Sequence, residues 1–221
     1  MQLILILAML ILPLWASYNV KSTFSKYSSV HNSRGLTADQ VARQILDSNG
    51  LYNVRVERIS GNLTDHYDPR DNVVRLSDTV YGQTSVSAIG VAAHECGHAC
   101  QHAEDYTPIK IRTAIVPAVN VCSMLWYFVF ILGIILGMIP ELLWAGIIMF
   151  AAVVLFQLVT LPVELDASGR ALRTLENDMI LDSSEVPKAR KVLKAAAMTY
   201  VVALVTSLIQ LLRLLAAAKR R

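Results

Sequence analysis

His94, Glu95, Cys96, Gly97 and His98 spell His-Glu-x-x-His. On an α-helix, residues four apart sit about 40° apart around the axis and one turn along it. Two imidazole nitrogens so placed reach a single ion at about 2.0–2.1 Å. Glu95 lies about 100° round from His94 on such a helix, beside the ion rather than on it. There its carboxylate takes a proton from a water that the metal has acidified. Neutral imidazoles as ligands and an adjacent carboxylate as general base are what metal-assisted hydrolysis needs. The bland alternative is a solvated helix face with two histidines; with average composition this pattern arises by chance in a chain of this length on the order of 1% of the time.

A hydrolytic zinc site usually has three protein ligands and one open position, so the third ligand must come from elsewhere. His102 continues the series of His94 and His98, but it lies about 12 Å along the helix from His94. It reads as an outer or surface residue. Cys96 and Cys100 fall on the opposite face and read as core. Glu164 is the best-placed carboxylate, since it emerges from an apolar run in Leu161-Pro162-Val163-Glu164-Leu165-Asp166-Ala167-Ser168. An acid there is costly unless paired or liganded. Its other reading is an interfacial carboxylate marking the end of a membrane helix.

The elements that position these groups follow from composition and pattern. The 221 residues are 54% hydrophobic and 17% charged, with a mean hydropathy of +0.46. That excludes a disordered chain, a coiled coil and a wholly water-soluble enzyme. A net charge of +3 without a basic stripe argues against nucleic acid. Three cysteines argue against a disulfide scaffold. Residues 1–17 form an apolar N-terminal anchor, favoured over a cleaved signal peptide because no basic residue precedes the run. Residues 18–112 are a soluble segment holding the His-Glu-x-x-His helix. Residues 113–163 are a transmembrane helical hairpin broken at Pro140-Glu141. Residues 164–194 are a soluble helical segment carrying Glu164, and residues 195–218 a C-terminal transmembrane helix. The expected fold class is an α+β membrane protein with about four transmembrane helices and a small soluble domain.

Within the soluble segment, Thr37-Ala38-Asp39-Gln40 reads as a capping box and Gly50 as the helix stop. Val54–Ile59, Leu63–Tyr67 and Val73–Leu76 read as strands, with turn chemistry at Asp68–Asn72. Ser183 or Ser184 reads as the cap of the helix that follows. The strand pair reads first as a structural hairpin; the alternative is an edge strand that holds substrate backbone. Lys and Arg cluster on the side of the soluble segment, which places that segment in the cytoplasm, against the grain of the basic tail Lys219-Arg220-Arg221. Asn120, Gln157 and Arg213 are too few polar groups within spans for a transporter.

Val91-Ala92-Ala93-His94-Glu95 through Gln101-His102, the run Leu161 to Ser168, Ser33-Arg34-Gly35-Leu36-Thr37 and Leu63 to Arg70 resemble the bacterial membrane zinc metallopeptidases of the YugP type. Leu158-Val159-Thr160 and Thr199-Tyr200-Val201 are similar to the same family, so the likeness covers nearly the whole chain. The resemblance implies a multi-pass cell-membrane protease that holds one Zn2+ ion and acts on polypeptides, with kinship to gluzincins. It implies a zincin-like soluble domain, Glu95 as catalytic base and His94, His98 and Glu164 as metal ligands. In that kin group an aspartate four residues after the glutamate supports a zinc-binding histidine; here Ser168 stands at that position, and Asp166 faces about 200° away from Glu164. His66, Tyr67, Arg170 and Arg173 are candidates to stabilise the oxyanion. A role in membrane-protein quality control follows by analogy alone. The competing class is a non-catalytic, zinc-stabilised membrane scaffold or chaperone-like binder. The sequence sets no oligomeric state.

Overall fold

A computed structural model describes residues 2–219. In chain order it comprises α1 (Gln2–Ser28), α2 (Ala38–Ser48), β1 (Arg55–Ile59), β2 (His66–Asp68), β3 (Val73–Ser77), α3 (Val86–Ala103), α4 (Thr107–Ile135), α5 (Pro140–Asn177) and α6 (Val186–Lys219). Helices α1, α4, α5 and α6 are long and apolar enough to cross a membrane. The architecture is thus α+β, mostly helical, with one small sheet. Arg220 and Arg221 of the basic tail lie outside the described residues.

The helices run further than the apolar runs that seed them. α1 continues through polar residues to Ser28, and α5 continues to Asn177, well past Val163. α6 begins at Val186, nine residues before its apolar stretch. The polar segment 164–194 is therefore two helix extensions joined by a short turn. Ala, Leu, Arg and Glu dominate the extension of α5, and these are good helix formers, so the backbone has no reason to stop where the bilayer pattern does. The turn before α6 is held by Asp182, whose carboxylate accepts from the backbone N–H of Ser184 and Glu185 at 2.7 and 2.9 Å.

The chain divides into two compact units. The first comprises Met1–Ala16, Thr107–Pro162 and Thr199–Arg221. Its interior is formed by Trp126, Ile147, Phe150, Val154, Leu204 and Leu214. Outward-facing Leu10, Leu14, Met124, Phe128, Ile148 and Leu212 stay exposed. A helix surface that apolar suits hydrocarbon, and apart from the interruptions at Pro13, Pro117 and Pro162 the helical backbone bonds within itself.

The second unit comprises Ser17–Tyr106 and Val163–Met198. α2 buries Val41, Ala42, Ile45 and Leu46, the apolar stripe of an amphipathic helix. At its start Gln40 accepts the Thr37 N–H at 3.0 Å, and it ends at Gly50 with φ +74. The sheet order is β1-β3-β2, with β1 parallel and β2 antiparallel to the central β3. The β2–β3 hairpin turns through Asn72 and closes with a hydrogen bond from the Tyr67 hydroxyl to Asn72 Oδ1 at 3.0 Å. Val74 and Leu76 of β3 join Ile89, Ala92, Ala93 and Cys96 of α3 in one core.

α3 is buried on nearly all sides, its first turn capped by Ser85, whose hydroxyl accepts from the Ala88 N–H at 3.2 Å. Gly97 is what lets it lie so close to α5. A Cβ at that position would sit 2.7 Å from the Ala167 carbonyl oxygen and 3.2 Å from the Ala167 Cα. Both neighbours are backbone, so neither can rotate aside. Gly97→Ala must push the two helices apart, and overpacking of this kind costs about 1–3 kcal/mol. A lower unfolding temperature in detergent, together with weaker metal retention, is the expected result; an unchanged melting curve would contradict the close contact.

Candidate metal centre

His94 and His98 project from one face of α3, one helical turn apart, toward Glu164 on α5. The His94 Nε2 lies 3.3 Å and the His98 Nε2 3.6 Å from the same carboxylate oxygen, Glu164 Oε2. The two imidazoles are edge to face, with ring centroids 4.7 Å apart. One donor atom from each of the three residues lies within 4.8 Å of the others. Ligands at about 2.0–2.2 Å in a tetrahedron are separated by about 3.4 Å, so the observed spacings match tetrahedron edges. Glu164 is only 2% exposed. A carboxylate is not placed in such a site without compensation, which two imidazoles and a cation supply. The residues present fit a divalent metal ion.

The far nitrogen of each ring is also engaged. His94 Nδ1 lies 3.1 Å from Ser168 Oγ. His98 Nδ1 lies 3.0 Å from Gln101 Oε1. Gln101 is fully buried, and its Nε2 donates to the Val163 carbonyl at 2.9 Å and to Asp166 Oδ2 at 2.8 Å. Those two acceptors turn the amide oxygen toward His98, so His98 Nδ1 must carry the proton and Nε2 presents its lone pair to the centre. Asp166 in turn accepts from Arg170 Nε at 2.6 Å, and Arg170 Nη1 reaches Glu104 at 2.7 Å. Asp166, facing away from Glu164 on its own helix, thus supports His98 through an amide.

Burial alone would depress the His98 imidazole. The negative charges of the neighbouring Glu164 and Glu95 carboxylates outweigh it and hold His98 above the ordinary histidine value.

Outer partners of metal-binding histidines are worth about 10–100-fold in metal affinity. Gln101→Leu and Ser168→Ala are each expected to weaken zinc binding by that order, read by competition with a chelating dye. Gln101→Glu still accepts from Nδ1 but sets a second oxygen against the Val163 carbonyl and Asp166 in place of a donor, so it too is expected to weaken binding.

Glu95 stands beside the cluster and outside it. It is 8% exposed, and its Oε2 accepts from the backbone N–H of Tyr67 at 3.1 Å. Tyr67 pairs with Val74 of β3 on one side of β2 and donates to α3 on the other. Asp65 anchors the approach to β2, since its carboxylate accepts from the Ser77 N–H and hydroxyl at 2.7 and 2.9 Å. Burial raises the Asp65 carboxyl, the Ser77 bonds pull it part of the way back, and the Glu95 charge adds to the rise.

The remaining sequence candidates fall elsewhere. Cys96 is buried in the core beneath α2, 3.5 Å from the Ala42 carbonyl, and Cys100 is also buried. The His102 ring packs 5.5 Å from that of Tyr67. The Tyr67 hydroxyl is engaged by Asn72, Arg170 by Asp166 and Glu104, and His66 Nδ1 by the Thr64 carbonyl. Of the two strands of the hairpin, Val73–Leu76 is central and paired on both sides, whereas β2 lies at the margin of the sheet. Sequence reasoning missed Gln101 as a support and the Tyr67 N–H as a partner of Glu95. The one trace of the first in the sequence is the spacing of Gln101, three residues after His98 on the same helix face, and its links to α5 are not local.

The sequence profile described as "Putative neutral zinc metallopeptidase" matches residues 2–219. The chain is 50% identical over 209 residues, 95% of its length and 92% of the relative's, to the "Putative membrane protease YugP" of Bacillus subtilis (strain 168). No solved structure matches it.

Proposed function

The chain belongs to this zinc metallopeptidase family, and from that premise we propose that it is a zinc-dependent endopeptidase of the cell membrane, with His94, His98 and Glu164 as ligands and Glu95 as general base. The observation that carries the reading is the convergence of two imidazole Nε2 atoms and one carboxylate oxygen, with a second carboxylate beside them that belongs to no ligand set. Three protein ligands leave a fourth position open, the mark of a catalytic rather than a structural zinc site. A bound zinc ion supplies the positive charge that acidifies a water and polarises the scissile carbonyl.

The chain's own residues do the rest. Glu95 takes the proton of the attacking water and returns it to the leaving amine. The Tyr67 N–H fixes which carboxylate oxygen faces the reacting centre, because a carboxylate with one oxygen bonded presents the other. Ser168 and Gln101 keep the two Nε2 atoms aimed inward. The margin of β2 supports the view that substrate backbone is held in extended form beside Glu95.

The excess of Lys and Arg flanking the spans supports a cytoplasmic site, and the family resemblance alone suggests membrane-protein quality control as the setting. A zinc-stabilised scaffold or chaperone-like binder is the second reading, favoured only if Glu95 proves dispensable.

The test is cleavage of casein and of a destabilised membrane protein by the purified full chain in detergent. Treatment with 1,10-phenanthroline is expected to remove activity, and added Zn2+ to restore it. Activity that survives complete metal removal would overturn the proposal.

A further inference from the structure

We propose that the first unit holds a binding site for an anionic phospholipid, with Arg213 gripping the phosphate and an apolar cavity taking the acyl chains. Where the α4–α5 turn meets the last turns of α6, a cavity of about 1100 Å3 opens. Its walls include Leu5, Phe130, Ile134, Leu143 and Ile209, and among its lining residues Gln210 and Arg213 carry the polar side chains. That is at the upper end of the roughly 300–1,000 Å3 of small-molecule sites, and its lining is mostly aliphatic.

Arg213 is the feature this packing leaves unexplained. Its Nη1 donates to Gln210 Oε1 at 3.0 Å and lies 3.8 Å from Met9 Sδ. Both partners are neutral, and among the described residues no acidic one lines the cavity. A guanidinium carries five N–H donors, so Nε and Nη2 still offer the planar fork that suits a phosphate. Arg213 precedes the exposed Lys219 by six residues, about 9 Å along the helix, which is headgroup depth rather than the bilayer centre. Trp144, 42% exposed, lines the same cavity and is the kind of side chain that settles at the membrane–water boundary.

The chemistry on the page favours a lipid over a second copy of this chain. The apolar stretches 1–17, 114–140, 142–163 and 195–218 hold no Asp or Glu, so among the described residues a neighbouring copy brings only Glu141 near that depth. A phospholipid brings both the anion and the hydrocarbon.

The experiment compares the full chain in nanodiscs of pure phosphatidylcholine with nanodiscs containing phosphatidylglycerol, read by thermal unfolding and by native mass spectrometry of retained lipid. Phosphatidylglycerol is expected to raise the unfolding temperature of the wild type and to remain bound. Arg213→Gln should lose that increment and bind about tenfold more weakly, and Arg213→Lys should keep part of it. Because the increment is read against each variant's own value in phosphatidylcholine, a general loss of stability does not mimic the result. An undiminished increment in Arg213→Gln overturns the proposal, as does an equal effect of inorganic phosphate in phosphatidylcholine. A dimer abolished by both Arg213→Gln and Glu141→Gln would identify a second copy as the occupant instead.

Discussion

Glu95→Gln is expected to lower kcat/KM for peptide cleavage by about 10²–10⁴-fold, the range that a positioned general base contributes, while the zinc content stays at that of the wild type. The substitution is nearly isosteric. Its amide oxygen can still accept the Tyr67 N–H that now reaches Glu95 at 3.1 Å, so α3 and β2 keep their contact. No ligand is lost, because Glu95 lies outside the His94, His98 and Glu164 cluster. What disappears is the ability to hold a proton between attack and departure of the amine. Two measurements on one preparation decide the matter: metal content by elemental analysis, and initial rates on casein. Zinc lost along with activity would mean that Glu95 shapes the centre rather than serving it. Full activity with zinc retained would favour the scaffold reading.

How far the sequence alone reached depends on the range of the interaction. The His94–His98 pair was legible because helical spacing is local geometry, and Ser85 and Gly97 sit where such a helix needs a cap and a close approach. The four long helices were legible because apolar length is itself the signal. Their ends were not. Nothing in the polar composition of residues 164–177 distinguishes a loop from the continuation of α5, since the deciding factor is packing against α3 at Gly97 and Ala167. The sheet order was hidden for the same reason. β1 and β3 are parallel partners separated by the whole β2 hairpin, and alternation along a strand names its faces but not its neighbours. Gln101 shows the limit most clearly. Two of its three hydrogen bonds join α3 to residues more than sixty positions away, so its role exists only once α5 is in place. Asp166 illustrates the converse. Its angle on the helix seemed to remove it from the histidines, and an intervening amide restores the link.

Glu164→Ala is expected to have the largest effect on metal binding. Outer partners account for about 10–100-fold in affinity, and loss of a direct ligand should exceed that, leaving two imidazoles that bind zinc too weakly to survive dialysis against a mild chelator. The argument turns on burial. An interfacial carboxylate that merely ended a membrane helix would face water or headgroups, and its removal would leave the zinc content alone. Glu164 instead is 2% exposed, with Oε2 3.3 and 3.6 Å from two imidazole nitrogens. Truncation to Ala also opens a small void between α3 and α5, which by itself lowers stability, so a second variant is needed to separate packing from ligation. Glu164→Gln keeps the volume and replaces an anionic oxygen with a neutral, weakly coordinating one. If packing matters most, Gln should restore the unfolding temperature and the zinc content together. If ligation matters most, Gln should restore the apo-protein's unfolding temperature while zinc stays depleted, and that separation is the expected outcome. Wild-type zinc content in both variants would remove Glu164 from the centre and, with it, the case for a hydrolytic site shared between α3 and α5.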